Sequence, residues 1–159
     1  MAMHTWFECK IRYEKVMENG MQKKVTEPYL VDALSFTEAE ARIIEEMTPF
    51  ISGEFTVSDI KRANYSELFP SDEESADRWF KCKLIFITLD EKSGAEKKTS
   101  TQVLVQAADL RDAVKKLDEG MKGTMADYQI ASVAETPLMD VYPYSAEPND
   151  KPEFDPSKA

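Results

Sequence analysis

The sequence predicts an α+β fold of two tandem β-β-α-β repeats, about six strands and two helices, packed about a pseudo-twofold axis. Three observations predict it: an internal duplication, strand-period alternation opening each copy, and a capped helix with an apolar stripe at the same place in both. The duplication starts with Trp6-Phe7-Glu8-Cys9-Lys10-Ile11, which returns as Trp79-Phe80-Lys81-Cys82-Lys83-Leu84, 73 positions on. At an offset of 74, Lys23-Lys24 matches Lys97-Lys98, and Leu30-Val31-Asp32-Ala33 matches Leu104-Val105-Gln106-Ala107. At 73 again, Glu54-Phe55-Thr56-Val57 matches Asp127-Tyr128-Gln129-Ile130, and Phe69-Pro70 matches Tyr142-Pro143.

Each element follows from its residues in order. Phe7, Cys9, Ile11 and Tyr13 alternate with Glu8, Lys10 and Arg12, and Phe80, Cys82, Leu84 and Phe86 alternate with Lys81 and Lys83. That is the period of a half-buried strand. Glu18-Asn19-Gly20 and Lys92-Ser93-Gly94 supply turns. The returning strands carry Tyr29, Val31 and Ala33, or Val103, Val105 and Ala107, and Pro28 marks an edge or bulge. Ser35 with Glu38, and Asp109 with Asp112, then open a helix as capping boxes. Phe36, Ala39, Ile43 and Met47 form one apolar stripe; Leu110, Ala113, Leu117 and Met121 form the other. A third strand follows, and its phase changes before Ile60 and before Val133, as a shared β-bulge would require. The domain reading is a first repeat over 5–70, an acidic linker over 71–78, a second repeat over 79–144 in one compact body with the first, and a disordered tail over 145–159.

Composition narrows the function classes. With 42% hydrophobic residues in 159, a packed core is within reach, and 30 acids against 20 bases give a net charge of −10. That balance argues against a general duplex-DNA binder. Two cysteines form no disulfide framework or zinc cluster, no apolar run spans a bilayer, and the first residues lack a secretory pattern. A cytoplasmic location without a membrane partner is expected.

The strand Trp6-Phe7-Glu8-Cys9-Lys10-Ile11, with Tyr29-Leu30-Val31-Asp32-Ala33-Leu34-Ser35-Phe36-Thr37-Glu38-Ala39-Glu40-Ala41, resembles an uncharacterised domain family of unknown function. That family is common in Bacteroidetes-type gut bacteria and their phages, and the resemblance covers about residues 4–144. It implies membership and, for a phage protein, a setting, but no activity.

No catalytic constellation assembles: the single histidine, His4, precedes the first strand, and GxSxG, HExxH, P-loop and GxGxxG patterns are missing. The chain is therefore expected not to be an enzyme and to need neither cofactor nor metal. Cys9 and Cys82 hold equivalent inward positions and are expected to pack as small hydrophobes. The candidate binding face is the outward side of the two first strands, with Trp6, Lys10, Arg12, Trp79, Lys81 and Lys83. Aromatics interleaved with bases suit single-stranded nucleic acid. The competing reading has the tryptophans packing the repeats together, with Leu30 and Leu104 on the same side. The expectation favoured overall is a non-catalytic module binding another protein. The alternatives are a single-stranded nucleic-acid binder, a small-ligand site at the repeat interface, and an acidic phage-type inhibitor. The last would present Glu38, Glu45, Glu46, Asp72, Glu73, Glu74 and Asp77 to a basic protein. Oligomeric state is open.

Overall fold

The computed structural model describes residues 5–143; His4, Tyr144 and the tail expected over 145–159 lie outside the described residues. The elements run β1 (Thr5–Val16), β2 (Gln22–Ala33), α1 (Phe36–Met47), β3 (Phe55–Ala63) and β4 (Glu67–Phe69). They continue as β5 (Arg78–Leu89), β6 (Glu96–Ala107), α2 (Leu110–Gly120), β7 (Asp127–Glu135) and β8 (Val141–Tyr142). The fold is α+β, with the same element order in both halves and two four-stranded sheets, β3-β1-β2-β8 and β4-β6-β5-β7.

Among the described residues eight strands stand in place of the roughly six expected. The additional pair, β4 and β8, are the Phe69-Pro70 and Tyr142-Pro143 matches. Each runs parallel to a strand of the opposite repeat, β4 along β6 and β8 along β2. Strands of three and two residues show no alternation, and the proline after each stops it from lengthening. The exchange divides the described chain into two units, residues 5–63 with 140–143, and residues 64–139.

Within each unit one helix covers one sheet face. The first core holds Phe7, Cys9, Ile11, Val31, Ala33, Ala39, Ile43 and Met47. The second holds their counterparts Phe80, Cys82, Leu84, Val105, Ala107, Ala113, Leu117 and Met121, together with Val103. Burying each large side chain stabilises by about 1.5–3 kcal/mol, which is what fixes the strand register. The bulges sit where the phase changes: Lys10 pairs with Asp59 but Ile11 with Val57, and Lys83 pairs with Ser132 but Leu84 with Ile130. Gly20 and Gly94 turn the hairpins at φ of 82° and 73°. Pro28 lies in the part of β2 that β8 does not flank, where a missing N–H is tolerated.

Both helix starts are built alike. Ser35 Oγ accepts from Glu38 N at 3.1 Å, and Glu38 Oε1 accepts from Leu34 N at 2.6 Å. Asp109 Oδ1 accepts from Asp112 N at 2.8 Å, and Asp112 Oδ2 accepts from Ala108 N at 3.0 Å. Orphan N–H groups at the helix start are thereby satisfied reciprocally.

A cation at one position of each helix secures the chain just after the exchanged strand. In the first unit Arg42 donates to the carbonyls of Asp32 and Pro143. In the second, Lys116 donates to Ser71 Oγ at 3.1 Å and Glu73 Oε1 at 2.8 Å, and pairs with Asp112 at 3.0 Å. Ser71 N also donates to Gln106 Oε1 at 2.9 Å, and Ala76 is buried, so the acidic stretch over 71–78 is anchored at several points.

Candidate functional site

β1 and β5 each turn one row of side chains to the helix and the other away from it. The outward row of β1 carries Trp6, Glu8, Lys10 and Arg12. Glu8 lies opposite Lys61, and Lys10 opposite Asp59, on β3. Opposite charges at directly paired positions neutralise each other, so this face holds little net field. Trp6 and Lys10 are half-buried and Arg12 is exposed.

The same row of β5 carries Trp79, Lys81 and Lys83. Lys81 faces Ala134 and Leu104, and Lys83 faces Ser132 and Gln102. Both lysines are exposed, while Trp79 is only 5% exposed and Leu104 is fully buried. The six residues singled out from sequence thus separate by unit and by accessibility. The bases are reachable, and Trp79 presents no free ring on which a base could stack.

Cys9 and Cys82 are both free and buried. Burial, then the nearby Glu8 and Asp59 charges, push the Cys9 thiol up to about 12, and burial pushes Cys82 up to about 11. Burial thus favours the neutral thiol at both positions near neutrality. Among the described residues no group of three or more His, Cys, Asp or Glu side chains could hold a metal ion. No helix among them is long and apolar enough to cross a membrane. Of the acidic residues, Glu38 serves in a helix cap and Glu73 is paired with Lys116.

Two features of the first unit were missed from sequence. The first is the hairpin arm. β3 stops pairing with β1 at Tyr13↔Phe55, and residues 14–16 of β1 continue without a partner on that side. An open cleft of about 650 Å³ lies there, lined by Arg12, Tyr13, Val16, Lys24 and Phe55 among others. At the arm's end Val16 is 64% exposed and Met21 66%. The corresponding turn of the second unit reads Leu89-Asp90-Glu91-Lys92-Ser93-Gly94-Ala95 and is far more polar. Leu89 answers Val16 in the second copy, but Asp90 and Ala95 stand where the first has Met17 and Met21, and those two methionines beside Gly20 were the signal that could have revealed this.

The second feature is a tyrosine cluster at the open end of the first core. Glu27 accepts from Tyr13 Oη at 2.9 Å and Tyr29 Oη at 3.3 Å, with Lys15 at 3.6 Å. Tyr29 stacks on Tyr142 with centroids 6.2 Å apart. Burial, then Glu27, pushes Tyr13 up to about 12, and burial followed by Asp140 and Glu46 does the same for Tyr142. The second unit has Phe86, Val103 and Phe69 at the tyrosine positions, so it carries no such polar end.

A search of curated proteins returns no match. A family model described as Domain of unknown function (DUF4494) matches residues 5–144, nearly the whole of the chain. With the same paired strands and capped helices running through that span, the chain belongs to this family of unknown function.

Proposed function

We propose that the chain is a non-catalytic module that binds another protein through the hairpin arm of its first unit. One observation carries this reading: exposed Val16, Met17 and Met21 cap an arm whose flank opens on a cleft of about 650 Å³. Clustered exposed apolar side chains beside polar ones are the usual composition of a protein contact. Methionine adapts its shape to a partner surface. Arg12 and Lys24 on the cleft wall, with Glu14 and Glu54, supply charges that orient such a partner. A reducing compartment such as the cytoplasm suits two free thiols. The single-stranded nucleic-acid reading is weaker, because Trp79 offers no stacking surface and Lys10 of β1 faces Asp59.

The test places a photo-crosslinking residue at Met21 or at Leu89 in the full chain, within the cells that encode it. Met21 should give a discrete protein adduct, and Leu89 should not. Val16→Asp with Met21→Asp should abolish the adduct while changing stability by no more than about 0.5 kcal/mol per site, as exposed positions do. Nucleic acid in the adduct, or equal yields at both positions, would sink the proposal.

A further inference from the structure

We infer that the outward face of the second sheet, around Lys81 and Lys83, binds an extended acidic segment of a polypeptide. This rests on the reading of the chain as a protein-binding module and adds a second contact surface to it. Both lysines are exposed and point from one side of β5, and their cross-strand neighbours Ala134, Leu104, Ser132 and Gln102 carry no charge. Among the described residues neither makes an ion pair. The first unit supplies an internal control, since Glu8 and Lys10 at the matching positions face Lys61 and Asp59.

The geometry selects the ligand. Successive outward residues of a strand lie about 6.6 Å apart, so Lys81 and Lys83 present charge at the repeat of alternate side chains in another extended chain. A segment with acids at every second position meets both lysines in register. Ile85 continues the row as a half-buried apolar contact, and Gln102 and Gln129 provide side-chain amides beside it. At the far end Lys98 and Asp127 both flank Ile87, so the uncompensated positive charge is confined to the Lys81 and Lys83 half. An accessible aromatic, which single-stranded nucleic acid would use for stacking, is missing from this row because Trp79 is buried.

The experiment measures fluorescence anisotropy of a short labelled peptide of alternating glutamate and valine, titrated with the full chain. Binding should weaken as salt rises. Lys81→Glu with Lys83→Glu should lower affinity about tenfold or more, while Lys92→Glu with Lys122→Glu, an equal change in net charge at exposed positions outside both contacts, should leave it within about twofold. No binding at low salt, or equal loss in both variants, would overturn the inference. Tighter binding of an oligothymidylate of equal charge would also overturn it and assign the face to nucleic acid. Crosslinking at Met21 is scored separately, so this site can fail while the arm's contact stands.

Discussion

Glu8 faces Lys61 and Lys10 faces Asp59 in the first unit, whereas the same four positions of the second hold Lys81, Ala134, Lys83 and Ser132. The helix sides of the two sheets tell the opposite story. There Phe7 answers Phe80, Cys9 answers Cys82, Ile43 answers Leu117 and Met47 answers Met121, pairs close in size, and the large change, Tyr29 against Val103, lies at the polar end of the first core. Volume is tightly constrained inside a core, where each methylene is felt, and loosely constrained on a surface. The two repeats therefore share their packing and differ chiefly on their exteriors.

The tryptophans give the largest way to break that comparison. Trp79 is nearly buried and Trp6 only half so, although they are the same residue in the repeat. Trp79→Ala should cost about 3–5 kcal/mol in urea unfolding, because the ring leaves a cavity. Trp6→Ala should cost about 1–2 kcal/mol, in proportion to the smaller apolar area it covers. Equal losses would mean that the outward faces are less different than their exposures say.

Gly120 sharpens the comparison at the end of the helix. A Cβ built there would lie 2.8 Å from the Phe69 ring, so β4 is packed against a residue without a side chain. The matching position of the first unit is Glu46, whose charge acts on Tyr142 of β8. Glycine to alanine within a helix ordinarily stabilises by about 1 kcal/mol. Gly120→Ala should do the reverse and cost about 1–3 kcal/mol through overpacking. Glu46→Ala should change stability by no more than about 0.5 kcal/mol. A gain from Gly120→Ala would show that Phe69 moves aside freely.

Much of this architecture is legible in the residues. Alternation in β1 and β5, the caps at Ser35 and Asp109, the stripes of α1 and α2 and both bulges follow from local pattern, because burial on one face imposes a period. β4 and β8 are different in kind. Their partners are strands of the other repeat, and no local periodicity encodes a parallel pairing over two or three residues. The site was less legible for a related reason. Alternation assigns Trp79 and Lys81 to one face, but burial varies along a face, and only the fold separates the buried ring from the exposed lysines. The arm went unread because Val16 and Met21 flank turn residues, and a turn was sufficient reason for that stretch.

The smallest expected effect concerns the cation on each helix, which in the second unit lies beside a carboxylate held below its ordinary value. The backbone N–H of Ala108, then the hydrogen bond from Lys116, holds Asp112 below its ordinary 3.8. Burial works against the charge on Lys116, but its bonds to Glu73 and Asp112 outweigh that and leave it above its ordinary 10.5. For Asp112 the depressed folded value means that its contribution is present above 3.8 and is lost as pH falls through the folded value. For Lys116 the raised folded value means a contribution complete below 10.5 and lost as pH climbs through the folded value. Asp112→Asn should therefore lower the melting temperature slightly at neutral pH, and the gap from the parent should close in acid. Asp112→Asn and Lys116→Met should be less than additive, since they remove parts of one network. Arg42→Met, whose guanidinium reaches the carbonyls of Asp32 and Pro143, should lower the melting temperature yet leave the Asp112 gap and its acid closure unchanged. An Asp112 gap that stays constant from neutral to strongly acidic pH would show that the carboxylate acts there only as a shape, and that charge is not what secures β4.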